Sequence, residues 1–134
     1  MTPDEQAPYV RRAALASAAG VAALGLLVLL AWHVGSVSVI RATLASGPMQ
    51  YNTALSFLLA GASLWVGLQR RPRLAAGLAI ALAALAGATL AQYRVGDLGI
   101  DELVVRDYVQ QGANHPGRMA TNTAVCFLAA AFAL

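Results

Sequence analysis

One octapeptide recurs in related form: Gly47-Pro48-Met49-Gln50-Tyr51-Asn52-Thr53-Ala54 and, 70 positions later, Gly117-Arg118-Met119-Ala120-Thr121-Asn122-Thr123-Ala124. The correspondence continues through Phe57-Leu58 and Phe127-Leu128, Ala60 and Ala130, and Leu64 and Leu134. Upstream, Trp32-His33-Val34-Gly35 matches Tyr93-Arg94-Val95-Gly96 at an offset of 61, so the second copy carries nine extra residues before its Asn-Thr pair. An internal repeat limits the architecture before any element is assigned. Each copy reads as an apolar helix, a Val-Gly exit, a short surface segment, and Gly-x-Met-x-x-Asn-Thr-Ala opening a second apolar helix. The chain reads as a duplicated helical hairpin.

The solvent of that hairpin follows from composition. Hydrophobic residues make up 59% of the 134 and charged ones only 11%, against roughly 25% charged in a soluble domain. The apolar residues come in long runs, so the fold class is all-α integral membrane. A net charge of +3 raises the question of nucleic acid. The basic residues, however, stand beside the ends of apolar runs, where they orient helices, and nucleic acid is set aside as a partner. Cys126 is the single cysteine and has no internal disulfide partner; it reads as a packing residue.

Four membrane helices are predicted, at about 13–34, 49–68, 74–93 and 119–134. Residues 1–12 form a cytoplasmic tail, polar and with two prolines up to Val10 and disordered or lying on the surface there, ending in Arg11-Arg12. The membrane domain spans 13–134, as hairpin repeats over about 13–68 and 74–134. The first run, Ala13 to Val34, spans about 33 Å as a helix, enough for the ~30 Å hydrocarbon core. It is too long for a signal-peptide apolar region and no Ala-x-Ala site follows, which favours a retained helix. Pro48 is placed to start the second helix. The third, rich in Ala and Gly (Ala76, Gly77, Ala83, Ala84, Gly87, Ala88, Ala91), is expected to pack closest and be the least exposed to lipid. The fourth, at 16 residues, spans only about 24 Å.

Two short interfacial helices are expected on the outer side. Gly35 to Ser46 places Val37, Ile40 and Leu44 at helical spacing. Between Arg94 and Arg118, Ile100, Leu103, Val104, Tyr108 and Gln111 fall on one helical face, with Glu102 and Arg106 at i,i+4; a turn over 112–117 follows. Arg11-Arg12 and Arg70-Arg71-Arg73 belong inside, so both termini are expected in the cytoplasm, in a bacterial inner membrane. A probe at Gln110 then faces outward and one at Gln69 inward. Both Asn-Thr pairs fall at the outer ends of returning helices.

The stretch Met49-Gln50-Tyr51-Asn52-Thr53-Ala54-Leu55-Ser56-Phe57-Leu58-Leu59-Ala60-Gly61 resembles a known family. So do Asp97-Leu98-Gly99-Ile100-Asp101-Glu102-Leu103 and Pro116-Gly117-Arg118-Met119-Ala120-Thr121-Asn122-Thr123-Ala124-Val125-Cys126-Phe127-Leu128. The family is the membrane-embedded N-terminal sensory module of bacterial signalling proteins, found ahead of PAS, histidine kinase or GGDEF domains. The resemblance covers roughly residues 30 to 134. It implies a non-enzymatic input module; catalysis would belong to an output domain absent from these residues. No ligand or cofactor identity follows from it.

The ligand-pocket candidates are Asn52, Thr53, Asn122 and Thr123, rimmed by Met49, Tyr51, Met119 and Thr121. Interhelical hydrogen bonding, worth about 0.6 kcal/mol on average, explains a repeated Asn-Thr as well as a shared pocket does. Met49 and Met119 are soft enough for copper but lack a nearby His or Cys, and packing is the plainer reading. No metal site is assigned. His33, beside Trp32, reads either as an interfacial side chain or as an axial ligand to a haem or pigment. The second alternative makes the chain a small accessory subunit of a larger membrane complex. A transporter is disfavoured, since no ionisable residue lies at mid-helix. The acidic residues Asp97, Asp101, Glu102 and Asp107, with Arg94, Arg106 and Arg118 close by, read as a solvated, self-neutralising surface rather than a cation site. The partners are the lipid bilayer and, with homodimer or larger complex left open, other membrane chains.

Overall fold

The computed structural model describes residues 3–42, 47–109 and 116–134, and every regular element among them is a helix. In chain order these are α1 (Pro3–Val34), α2 (Val37–Ala42), α3 (Tyr51–Leu68), α4 (Pro72–Val95) and α5 (Thr121–Ala133). Stretches of 27, 18 and 24 residues in α1, α3 and α4 are long and apolar enough to cross a membrane. With 13 residues, α5 spans about 20 Å. Leu26, Leu27, Leu30, Ile80 and Phe132 stand uncovered on the outward faces, a surface that suits lipid and not water. Gln110 and the turn residues 112–115, with His115, lie outside the described residues, as does Leu44.

Helix starts differ from the sequence reading in a consistent way. α3 begins at Tyr51 and α5 at Thr121, two residues later than predicted and at equivalent places in the repeat. Their caps match as well: Gln50 has φ −67° and ψ 151°, Ala120 φ −59° and ψ 144°. The cause is visible one residue earlier. The Trp32 indole N–H donates to the Met49 carbonyl at 3.0 Å, and the Tyr93 hydroxyl donates to the Met119 carbonyl at 2.9 Å. Each carbonyl is claimed by an aromatic side chain from the preceding long helix, and the first helical bonds are instead Ala54 N to Gln50 O and Ala124 N to Ala120 O, both 3.0 Å. Pro48 therefore precedes the helix rather than opening it; Pro72, at the start of α4, does take the first helical position.

Two predicted segments are corrected. Residues 3–12, read as a tail, continue α1; Pro3 opens the helix where its missing N–H costs nothing, and Pro8 removes one bond without ending a helix already propagating. The stretch 94–118 holds no second interfacial helix among its described residues: α4 runs on to Val95, and 96–109 are turns, bends and irregular chain. Side chains there take the backbone donors a helix would need. Glu102 Oε1 accepts the Asp107 N–H at 2.9 Å, and Asp107 accepts the Val109 N–H at 2.8 Å and the Gly117 N–H at 2.9 Å. Within the first of the two expected segments a six-residue helix does form, α2.

α3 is the hub. It packs along α1 and α4 and touches α5. The prediction that the Ala-rich third span would be least exposed is overturned: 33% of the α3 span is buried, against 28% for α4 and 22% for α1. Close approach is made by Gly25 of α1 and Gly61 of α3. A Cβ at Gly25 would stand 2.5 Å from the Ala54 carbonyl oxygen, and one at Gly61 2.5 Å from the Ala22 nitrogen. These are backbone contacts, so the α1–α3 seam is set by the absence of side chain at two positions. Gly77 and Gly87 of α4 have nothing within 4 Å of where a Cβ would be.

Two apolar clusters share one residue. Val28, Leu29, Trp32, Ile40, Met49 and Ala54 form the first; Leu82, Ala86, Met119, Ala124, Phe127 and Ala131 form the second. Phe57 packs against both, and its ring meets its repeat counterpart Phe127 edge-on at 5.0 Å between centroids.

The α3–α4 turn is tight. Arg71 N–H bonds to Val66 O and Arg70 N–H to Gly67 O, closing the end of α3. Arg70 holds φ 60°, where glycine is the usual occupant and another residue costs roughly 1–2 kcal/mol.

Candidate functional site: a buried carboxylate–guanidinium centre

At the end of the bundle where α1 and α4 finish and α3 and α5 begin, charge lies buried. Asp101 is 6% exposed and Arg118 8%. Arg118 Nε donates to Asp101 Oδ2 at 2.8 Å, and its second nitrogen lies 3.2 Å from the exposed Asp97. Gln92, fully inside the last turns of α4, donates to Asp101 Oδ2 at 2.9 Å and accepts the Leu98 N–H at 3.1 Å. Asn52, 4% exposed, reaches both Asp101 Oδ1 and the Ile100 carbonyl at 3.5 Å, the outer limit of a hydrogen bond. The Arg118 guanidinium also stands 5.3 Å from the Tyr93 ring centroid, within cation–π range.

The loop is held over this centre by its own carboxylates and by glycine. Gly117 has φ 73°, and a Cβ there would stand 3.0 Å from the Asp101 carbonyl oxygen, so any side chain at this position is strained and crowded. One consequence reaches across the repeat. Tyr108 donates its hydroxyl to the Trp32 carbonyl at 2.9 Å and stacks edge-on against the Trp32 ring at 5.0 Å, while Val105 and Val109 join the first apolar cluster. The longer loop of the second copy thus reaches Asn52 and Trp32 of the first copy. Burial, and then the charge of Asp107, push the Tyr108 phenol above its ordinary value, so it stays a donor. The Asp101 hydrogen bond raises the Arg118 guanidinium further, against the opposing effect of burial. Arg118 therefore stays a cation, and Asp101 Oδ2 accepts from both Arg118 and Gln92.

The predicted residues divide accordingly. Asn52 and Thr53 are buried, but Asn122 is exposed and Thr123 half-buried. Met49 and Met119 are buried in the two apolar clusters; Tyr51 is half-buried and Thr121 exposed. The covering loop meets the first pair at Asn52, while Thr121 and Asn122 of the second copy stand exposed. His33 is exposed, its Nε2 3.4 Å from the Tyr51 hydroxyl, with the rings edge-on at 5.8 Å. Among the described residues no three His, Cys, Asp or Glu come together as a metal site.

Asp101, Arg118 and Gln92 are what the sequence reading missed, and Asp101, Asp107 and Arg118 are not the solvated surface it assumed. A signal was present: Gln92 interrupts an apolar helix near its end, where a buried amide requires a partner. Comparison with known proteins finds no matching family model, no matching curated protein and no matching solved structure.

Proposed function

We propose that the chain is a membrane-embedded sensory or input module of a bacterial signalling protein, non-catalytic itself, built as two tandem hairpins. In this reading α1, α3, α4 and α5 all span the inner membrane with both termini cytoplasmic. The hairpins α1–α3 and α4–α5 are related by a pseudo-two-fold axis along the membrane normal. Three geometric coincidences support that symmetry: the paired aromatic-to-methionine carbonyl bonds, the matched starts of α3 and α5, and the contact between Phe57 and Phe127. Parallel repeats of this kind keep equivalent residues at one membrane face.

The observation that carries the sensing role is the Asp101–Arg118 centre. It bonds Asn52 on α3 and Gln92 on α4 and lies directly ahead of α5. A stimulus that displaces one partner leaves buried charge uncompensated, which favours a rearrangement of helix starts. Helices α3 and α5 both lead from this end to the opposite one, where an output domain would be reached.

The test uses the protein as its gene encodes it, with whatever follows Leu134. Asn52→Leu is expected to abolish the stimulus response while membrane levels stay unchanged. A response of wild-type amplitude in Asn52→Leu would remove this end of the bundle from sensing. A stop codon after Leu134 with co-purifying partner subunits, and visible absorbance lost in His33→Ala, would replace the sensor by the accessory-subunit reading.

A further inference from the structure

Offset by 70 positions, α3 and α5 correspond residue by residue. Ala54 and Gly61 are buried on α3, and their counterparts Ala124 and Ala131 are buried on α5. That face packs within each hairpin: Gly61 meets the backbone of α1, and Ala124 and Ala131 join Leu82 and Ala86 of α4. Three other positions pass from buried on α3 to exposed on α5: Asn52 to Asn122, Ser56 to Cys126 and Ser63 to Ala133. Spaced i, i+4 and i+11, they fall on one face of a helix.

On α3 that face is occupied. Ser63 Oγ donates to the Ala75 carbonyl of α4 at 2.9 Å, and Asn52 reaches Asp101 and the Ile100 carbonyl, in the loop after α4, at 3.5 Å. It is the face by which the first hairpin docks on the second. On α5 the same face carries an exposed amide, Asn122, above Cys126, Ala129 and Ala133, all small and exposed. A second copy of the chain does not cover it as α4 covers α3, because the Asp101 loop of each copy is already bonded to its own Asn52, Gln92 and Arg118. A self-complementary contact remains. In two copies inserted the same way, a two-fold axis along the membrane normal sets each residue of the face against its own counterpart. An Asn amide both donates and accepts, so Asn122 bonds Asn122 across such an axis, and the small residues below it let the two backbones approach.

We propose that the protein pairs with a second copy of itself through α5, with Asn122, Cys126 and Ala129 of one protomer against the same residues of the other. The interface rests on the reading of α5 as a membrane span, since only then do both copies share one orientation. Asn122 and Cys126 lie in the first two turns of α5, so the seam is set near the Asp101–Arg118 centre.

Cys126 is the single cysteine of these residues, so the wild-type sequence carries its own probe. Membranes holding the protein as its gene encodes it, with any cysteine beyond Leu134 changed to alanine, are treated with copper phenanthroline. The oxidant takes two electrons from a pair of facing thiols and leaves a disulfide. A dimer linked through Cys126 is expected on non-reducing gels, as is one through Ala129→Cys in a Cys126→Ala background. Ile80→Cys in that background, on the uncovered face of α4, should not link. In detergent, Asn122→Leu should raise the dimer dissociation constant about threefold or more, the equivalent of one interhelical hydrogen bond. Asn52→Leu, on the face turned to α4, should leave it unchanged. Absence of dimer at both Cys126 and Ala129→Cys overturns the pairing, and the first of these needs no variant on α5 to fold. Equal linking through Ile80→Cys would mark random collision and overturn it too, and an unchanged constant in Asn122→Leu would remove the amide from the seam and overturn the proposed register. Alkaline carbonate extraction tests the membrane reading separately. A chain stripped from membranes by carbonate loses both readings, whereas one that stays embedded without linking loses only the pair.

Discussion

Asp101 and Asn52 touch each other, yet the two residues differ in what their loss would do. Asp101 receives a short bond from Arg118 and another from Gln92 inside a buried centre, whereas both bonds of Asn52 are 3.5 Å long. Removing one member of a buried ion pair costs about 3–5 kcal/mol because the other charge is left without compensation. Asp97, 3.2 Å from Arg118 but largely exposed, offsets part of this. Asp101→Asn is therefore expected to destabilise by an amount near the lower end of that range, and Asn52→Leu by about 0.6 kcal/mol. Thermal unfolding in detergent should rank them in that order. Asn52→Leu as the more damaging of the two would mean that the amide, not the ion pair, organises this end. The sequence pointed to Asn52 because it recurs at Asn122; it hid Asp101 because a carboxylate among arginines in a loop is ordinarily solvated.

At the scale of elements, what was legible is what depends on local pattern. The apolar runs gave the long helices, and the Arg-Arg-Pro-Arg run placed the α3–α4 turn to within two residues. What was not legible depends on contacts between distant segments. The starts of α3 and α5 are decided by Trp32 and Tyr93, 17 and 26 residues away. The 94–118 stretch has the periodicity of an amphipathic helix, but its carboxylates bind its own backbone instead. Small residues in α4 suggested the tightest seam, whereas Gly25 and Gly61 form it, since a glycine matters only where another backbone arrives. Gly61→Ala should therefore force apart α1 and α3, at a cost typical of overpacking, about 1–3 kcal/mol. Gly87→Ala meets nothing within 4 Å and should gain up to about 1 kcal/mol from helix propensity. Shifts of the thermal midpoint in opposite directions check this; equal losses at both sites would place a close neighbour against Gly87 as well.

For the whole molecule, the distribution of charge between the two ends decides orientation. One end bears five exposed arginines. The other bears Arg41 on α2, Arg94 in the last turn of α4, and Arg106 and Arg118 in the loop that follows, but four carboxylates lie in that loop, and Arg118 is paired with two of them. The positive-inside bias counts basic residues close to span ends, so the five-arginine end is expected to stay in the cytoplasm and the Asp101–Arg118 centre to face outward. Leu103, 77% exposed in the covering loop, and Gln69, exposed in the turn, mark the two ends. Cys126 is exposed and is first replaced by serine to silence its thiol. A membrane-impermeant maleimide applied to intact cells should then modify Leu103→Cys directly, and Gln69→Cys only after permeabilisation. The reverse pattern would turn the molecule over. The buried ion pair would then face the cytoplasm, where an external stimulus does not reach it, and the sensing reading would fall with the topology.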